Sequence, residues 1–364
     1  MEVLVAIPIL LLASGATSFL ATRIVKVAAE KIGLVDRPDE RKHHEREIPR
    51  VGGLAIIFGF GFPLLLLAAN SHAAGLVSKN LPFLFAMLAS GSLIVGLGVY
   101  DDLVGANAPK KFIIQTAAAV ILVSFGYQFK FVSLAGKVVH LGFFGYVISV
   151  IWIVGVINAV NFIDGMDSLA TVVSITIAVA FAIIAIVRYD AFSLVVMTAL
   201  AGSLAGFYWW NKPPARIFMG DSGSMFIGLL LAAGSIAKPS KSPTAIIITG
   251  PIIALALPVL DTLMVMKERF GGRATPISTR LSRLFNADRR HIHHILLVRF
   301  GSETKAIVSI WLVTLLFAIA AVMTAIDDMK TIGYSAGIVA LIAMVVLRWE
   351  RRRKERDHAA RNAA

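Results

Sequence analysis

Runs of about 17 to 25 apolar residues recur along this chain, separated by short polar stretches, and no water-soluble core can absorb so many of them. With 57% hydrophobic residues and a mean hydropathy of +0.80, the sequence reads as an all-α polytopic membrane protein. Eleven spans are predicted, at about 3–22, 51–69, 81–100, 112–126, 145–160, 168–187, 191–210, 223–237, 244–266, 306–326 and 331–347. The fourth, fifth and eighth are short, so they either thin the bilayer locally or lie against protein.

Lys and Arg decide the orientation. With the N-terminus outside, 28 of the 35 basic residues fall in inside segments, and only Lys79, Lys130, Lys137, Arg188, Lys238, Lys241 and Lys330 lie outside. That bias satisfies the positive-inside rule, so the expectation is N-out and C-in. Glu2 precedes the first span without any Lys or Arg, which argues against a cleaved signal peptide. The net charge of +13 does not imply nucleic acid, because the basic residues mostly flank spans, where anionic headgroups attract them. The run from Arg348 to Arg356 in the basic tail 348–364 reads as a topology anchor. No cysteine is present, which excludes disulfides and thiolate metal sites. Without internal repeats or linkers, residues 1–364 read as one membrane domain whose largest soluble loop is 267–305.

Alternating spans bring five polar stretches to one face: Asp36 to Arg50, Asp101 to Lys111, Asn158 to Asp167, Asn211 to Asp221 and Asp288 to His294. Asp101 and Asp102 end the third span, where adjacent carboxylates oppose the helix dipole. The pair either meets a compensating cation, a divalent metal being the economical one, or marks a solvated helix end. Asn158, Asn161, Asp164 and Asp167 recur every three residues, which on a helix makes one polar stripe of hard oxygen ligands and hydrogen-bond acceptors. Such a stripe suits Mg²⁺ or a base and ribose; a polar cap at Gly165 is the plainer alternative. Asp221, Ser222 and Ser224 could N-cap the eighth span. Because a helix N-terminus also attracts phosphate, an acid there points equally to a metal between the two.

His291 and His294 stand one helical turn apart, but no third ligand of zinc type is nearby. Imidazoles interleaved with Arg289 and Arg290 fit a polyanionic or sugar-bearing ligand better. Lys42, His43 and His44, with Arg41, Arg46 and Arg50, either meet phosphate or form an ordinary basic loop. Asp261 lies within the ninth span, three residues after Pro258. Intramembrane acids are functional or paired, so helix packing and support of an active site stay open for it.

Together, Asp36 to His43, Pro49 to Gly53, Asp101-Asp102, Asn158 to Asp167, Phe218 to Asp221 and His291 to His294 resemble the polyprenyl-phosphate N-acetylhexosamine-1-phosphate transferases. The resemblance covers residues of about 30 to 300. The His-x-His-His form looks like the WecA/TagO-like branch, which uses UDP-GlcNAc, whereas Ile292 departs from the three consecutive histidines of the MraY branch. It implies Mg²⁺, with Mn²⁺ as a substitute, at Asp221, with Asn161 and Asp102 as further ligands and Asp101 close by. It implies too that Asp167 and Phe218 hold uracil, that Lys42 and Lys111 meet phosphate, and that His291, His293, His294 and Arg289 contact sugar or diphosphate. Asn158, Asp164, His43, Arg46 and Arg50 complete the substrate-binding set.

The implied partners are UDP-GlcNAc, a polyprenyl phosphate and the membrane, with a homodimer allowed. A phosphate monoester acceptor, with a second pKa of about 6, needs no strong general base. In-line attack on the sugar-bearing phosphorus is therefore expected, with Asp101 orienting the acceptor; an aspartyl-phosphate route through Asp101 or Asp102 is the alternative. A different class, a cation-coupled transporter, predicts acids near the midplane, where only Asp261 comes close.

Overall fold

The computed structural model describes residues 2–36, 47–70, 74–134, 137–236, 249–270 and 291–363. Seven stretches within them are long and apolar enough to cross a membrane: Ala6–Lys31, Leu81–Val104, Gly142–Ile163, Leu169–Val187, Ala191–Asn211, Glu303–Ala325 and Asp327–Arg348. The protein is a multi-pass helical membrane protein.

In chain order the helices are α1 (Glu2–Lys31), α2 (Gly53–Ala68), α3 (Ala74–Lys79), α4 (Leu81–Val104), α5 (Ala108–Ser124), α6 (Gly142–Ile163) and α7 (Leu169–Val187). They continue with α8 (Ala191–Asn211), α9 (Gly220–Ser235), α10 (Thr249–Ala254), α11 (Ala256–Phe270), α12 (Ile292–Phe300), α13 (Glu303–Ala325) and α14 (Lys330–Ala363). Among the described residues two short antiparallel strand pairs interrupt them: β1 (Val35–Asp36) with β2 (Ile48–Pro49), and β3 (Phe131–Leu134) with β4 (Lys137–His140).

The core lies around α9. Only 16 residues long, α9 is buried almost throughout, packed against α2, α4, α6 and α7. A helix enclosed this way need not match the hydrocarbon thickness, which explains the short eighth span. Small residues allow the close approach. A Cβ on Gly98 of α4 would lie 2.3 Å from the Ser222 Cα, and one on Gly53 of α2 would lie 2.2 Å from the Gly223 nitrogen. Both helices therefore touch the first turn of α9 backbone to backbone.

Two differences from the sequence reading have local causes. The ninth span is split at Leu255, between α10 and α11. Pro258 has no N–H to give the Ala254 carbonyl, and its ring crowds that carbonyl, so the helix cannot run through unbroken. The polar stripe beginning at Asn158 is helical only as far as Ile163. Asp164 caps α6, and Asp164 to Asp167 turn away toward α7.

Candidate active site

The site is built on the first turn of α9. Ahead of it, residues 49–53 and 218–219 are laced together: the Phe218 N–H donates to the Pro49 carbonyl (2.8 Å), Gly52 N–H to Phe218 O (2.9 Å) and Gly53 N–H to Met219 O (2.7 Å). Gly220 then turns the chain into α9 with φ +72°, where a Cβ would strike the Arg50 carbonyl at 2.1 Å. The lacing sets the Arg50 backbone against the α9 entrance.

Asp102 supplies the cap. Its Oδ1 accepts from the Asp221 N–H (2.8 Å), and its Oδ2 accepts from the Ser222 N–H (3.1 Å) and hydroxyl (2.7 Å). A carboxylate at a helix N-terminus satisfies orphan donors and complements the dipole. Here it comes from α4, so no side chain of α9 caps its own helix. With both oxygens so engaged, Asp102 holds the α9 entrance in place.

Asp101, one residue earlier, faces the other way. The Ala106 N–H donates to its Oδ1 (2.5 Å), and the Lys111 ammonium donates to its Oδ2 (2.6 Å). That ammonium also donates to Asp221 Oδ2 at 2.5 Å, so one cation bridges carboxylates 120 residues apart in sequence. The turn between α4 and α5 makes this possible. Gly105, at φ +84°, ends α4, and the Asn107 side chain caps α5 by accepting from the Lys110 N–H (3.1 Å), which aims Lys111 back at Asp101.

Electrostatics follow from this crowding. Burial, then the nearby Asp101 carboxyl, push the Asp221 carboxyl up to about 6, against the pull of Lys111. Burial of Lys111 disfavours its charge, but Asp221 and Asp101 outweigh that and raise its pKa. Asp164 is held well above the usual carboxylate range by enclosure in protein and by the charges of Asp221, Asp102 and Asp167. Among the described residues, Asp101, Asp102, Asp164, Asp167 and Asp221 converge here, with Lys111 and Arg50 as the cations that act on them.

The remaining stripe residues brace the same region. Asn158 donates to Gln115 Oε1 (2.7 Å), and Asn161 donates to the Ser224 hydroxyl (2.9 Å), which in turn reaches the Gly220 carbonyl (3.0 Å). Asp167 Oδ2 accepts from the Ala215 N–H (2.7 Å), tying the turn after α6 to the loop that carries half-buried Phe218. Gln115 escaped the sequence reading. Its signal was a carboxamide inside an apolar span, one helical turn after Lys111 on the same face.

The histidine motif joins through its own supports. His291 N-caps α12, its Nδ1 lies 2.7 Å from Asp261 Oδ2, and its ring meets Phe162 with centroids 5.4 Å apart. His293 packs against His291 and His294, and a Cβ on Gly165 would lie 2.5 Å from its Nε2. The histidines thus rest on the Asp164–Asp167 turn. Burial, and then His294 and His291, lower the His293 pKa to about 3, so its ring is neutral. Neither of its ring nitrogens finds a hydrogen-bond partner. Lys42, His43, Arg46 and Arg289 lie outside the described residues.

A divalent cation fits this donor set. The side chains around Asp221 offer oxygen, and the Asp101 and Asp221 oxygens already converge on one positive charge. Among the described residues no three His, Asp or Glu side chains close around one point. Mg²⁺ characteristically takes one or two carboxylates and completes its shell with substrate phosphates and water, so this does not count against it.

Carboxylates, a bridging ammonium and imidazoles are thus gathered where buried helices end. Residues 84–238 match the family model described as glycosyl transferase family 4. A Bacillus subtilis (strain 168) protein named "Probable undecaprenyl-phosphate N-acetylglucosaminyl 1-phosphate transferase" is 34% identical over 88% of this chain and 86% of its own length. A decaprenyl-phosphate N-acetylglucosaminephosphotransferase of Mycolicibacterium smegmatis is 31% identical, covering 92% and 86%. An undecaprenyl-phosphate alpha-N-acetylglucosaminyl 1-phosphate transferase of Escherichia coli (strain K12) is 28% identical, covering 80% and 76%. The chain belongs to the polyprenyl-phosphate N-acetylhexosamine-1-phosphate transferases.

Proposed function

We propose that this protein transfers GlcNAc-1-phosphate from UDP-GlcNAc to a polyprenyl phosphate such as undecaprenyl phosphate, giving polyprenyl-diphosphate-GlcNAc and UMP. This would be the initiating step of a lipid-linked cell-envelope polysaccharide. The observation that carries the reading is the Lys111 bridge between Asp101 and Asp221, a cation held between acids at the entrance to α9. The names of the bacterial relatives supply the substrate class.

In this reading the eleven spans lie within α1, α2, α4 to α9, the α10–α11 pair, α13 and α14, with Lys111 and Asp221 at the interfacial ends of α5 and α9, outside the spans. They run N-out and C-in through the bacterial cytoplasmic membrane. A cytosolic donor and a lipid acceptor then meet at the inner interface, where Asp101, Asp164 and Asp221 lie together.

The acceptor is mostly dianionic near neutral pH, since its second pKa is about 6. One of its oxygens attacks the sugar-bearing phosphorus as the bond from that phosphorus to the UMP oxygen breaks, and UMP leaves with those electrons. Lys111 is placed to share charge on the diphosphate once it moves off the carboxylates, and Asp101 orients the acceptor. Asp102 is kept from nucleophilic work by its three hydrogen bonds to α9, which favours a single displacement over an aspartyl-phosphate at that residue. Asp221, with Asn161, would hold Mg²⁺, and the ion when bound supplies charge neutralisation for the diphosphate. Asp167 and Phe218 hold the uracil, and His291 and its neighbours meet the sugar or diphosphate.

The test is a donor exchange. Purified protein with undecaprenyl phosphate and labelled UDP-GlcNAc should yield butanol-extractable label and equimolar UMP. Label entering lipid only from another UDP-N-acetylhexosamine would move the reading to that donor, and no label from any of them would end it.

A further inference from the structure

The first residue of the basic C-terminal run does not face headgroups. Arg348 is 6% exposed, and its Nη1 donates to Asp261 Oδ1 at 2.6 Å, while Nη2 lies 3.4 Å from Glu268 Oε1. Helical spacing accounts for its place. Ala340, Met344 and Arg348 recur every four residues, a buried stripe on a helix whose other faces are largely exposed over residues 330–347.

Asp261, on α11 and 2% exposed, gathers three donors from two distant parts of the chain. Its Oδ1 takes Arg348 Nη1 and the Ile292 N–H (3.0 Å), and its Oδ2 takes His291 Nδ1 (2.7 Å). A carboxylate only accepts, so the hydrogen between Asp261 and His291 sits on Nδ1. Nε2 is thereby turned away from Asp261 and left to meet a ligand, as in other sites where a carboxylate orients an imidazole. Packing alone does not call for this arrangement. A buried ionic cluster is usually no more stable than apolar side chains of the same volume, so its worth lies in the geometry it imposes.

We propose that Arg348, on the last helix, is a positioning residue for donor binding: through Asp261 it sets the tautomer and direction of His291. This rests on the reading that His291 meets the sugar or diphosphate of the nucleotide-sugar donor. It also gives α14 a part in the site, although none of its own side chains need touch substrate.

The experiment compares purified full-length wild type with Arg348→Met, Arg348→Lys, Asp261→Asn, His291→Gln and the Arg348→Met/His291→Gln double variant. Donor KM, acceptor KM and kcat are measured separately. Arg348→Met and Asp261→Asn should raise donor KM about 10- to 100-fold, the scale on which partners of a working histidine matter, and leave acceptor KM unchanged. Arg348→Lys should recover part of the loss. The double variant should be no worse than His291→Gln alone, because the two act through one atom.

Multiplicative losses in the double variant, or a wild-type donor KM in Arg348→Met, would overturn the proposal. So would equal shifts in donor and acceptor KM, which mark a merely structural residue. If Arg348→Met does not fold, Asp261→Asn, which keeps shape and volume, carries the same comparison. An unchanged donor KM in His291→Gln would instead sink the underlying reading of the histidine, a separable outcome.

Discussion

Asp102 grips Ser222 twice, through the backbone N–H at 3.1 Å and through the hydroxyl at 2.7 Å, although the two residues are 120 apart in the chain. With the further bond from the Asp221 N–H, one α4 side chain closes the exposed end of a buried helix. Asp102→Ala should therefore lose about 1–2 kcal/mol of stability, the usual scale for a lost N-terminal cap. Thermal unfolding in detergent should show a lower midpoint for Asp102→Ala and a smaller drop for Asp102→Asn, which keeps one acceptor. An unchanged midpoint in the alanine variant would remove Asp102 from this role.

His293 should make the protein acid-labile. Its folded pKa of about 3, lowered first by burial and then by His294 and His291, lies below the unfolded value near 6.5. Between those values the unfolded chain binds the extra proton, so this contribution is whole above about pH 6.5 and shrinks as pH falls toward 3, by up to about 1.4 kcal/mol per pH unit. Unfolding midpoints followed from pH 7.5 to 4.5 should fall for the wild type and fall less steeply for His293→Leu. Parallel curves would show that the ring does not titrate as its burial dictates.

At Gly165 the turn after α6 lies directly against the histidine motif. A Cβ there would sit 2.5 Å from His293 Nε2, so Gly165→Ala must push the ring or the turn aside. Donor KM should rise about 10-fold with acceptor KM little changed, since a misplaced binding group costs rate and affinity steeply. Steady-state kinetics with each substrate varied in turn checks this, and a wild-type donor KM would separate the turn from donor binding.

Much of the architecture was legible because long apolar runs and the helical period are local properties. The apolar runs mark the helices, and the distribution of basic residues suggests how they are threaded. What stayed hidden depends on which helix meets which. Asp221, Ser222 and Ser224 read locally as caps of α9 themselves, and nothing local says that Asp102 fills that role instead. That follows only once Gly98 and Gly53 let α4 and α2 reach the α9 backbone. Arg348 reads as part of a topology anchor by its place in a basic run, whereas the structure buries it against Asp261. The repeat from Asn158 to Asp167 suggests a longer helix than forms, whereas the split at Leu255 was foreshadowed by Pro258 and overlooked.

Metal removal should abolish turnover. Asp101 and Asp221 hold Lys111 between them until another cation takes its place. EDTA should stop UMP release, Mg²⁺ should restore it and Mn²⁺ should restore it in part. Mn²⁺ binding followed by electron paramagnetic resonance should weaken in Asp221→Ala. Turnover that survives exhaustive chelation would remove the cation from the account.

The central claim is that Asp221, held at the α9 entrance and bridged to Asp101 by Lys111, works on the donor diphosphate. The most direct measurement is UMP release by Asp221→Ala, made alongside its unfolding midpoint. The account predicts loss of UMP release of at least about 1,000-fold, as when a key electrostatic group is removed from a transfer site, with the midpoint near that of the wild type. Substantial turnover in a folded Asp221→Ala protein would contradict it.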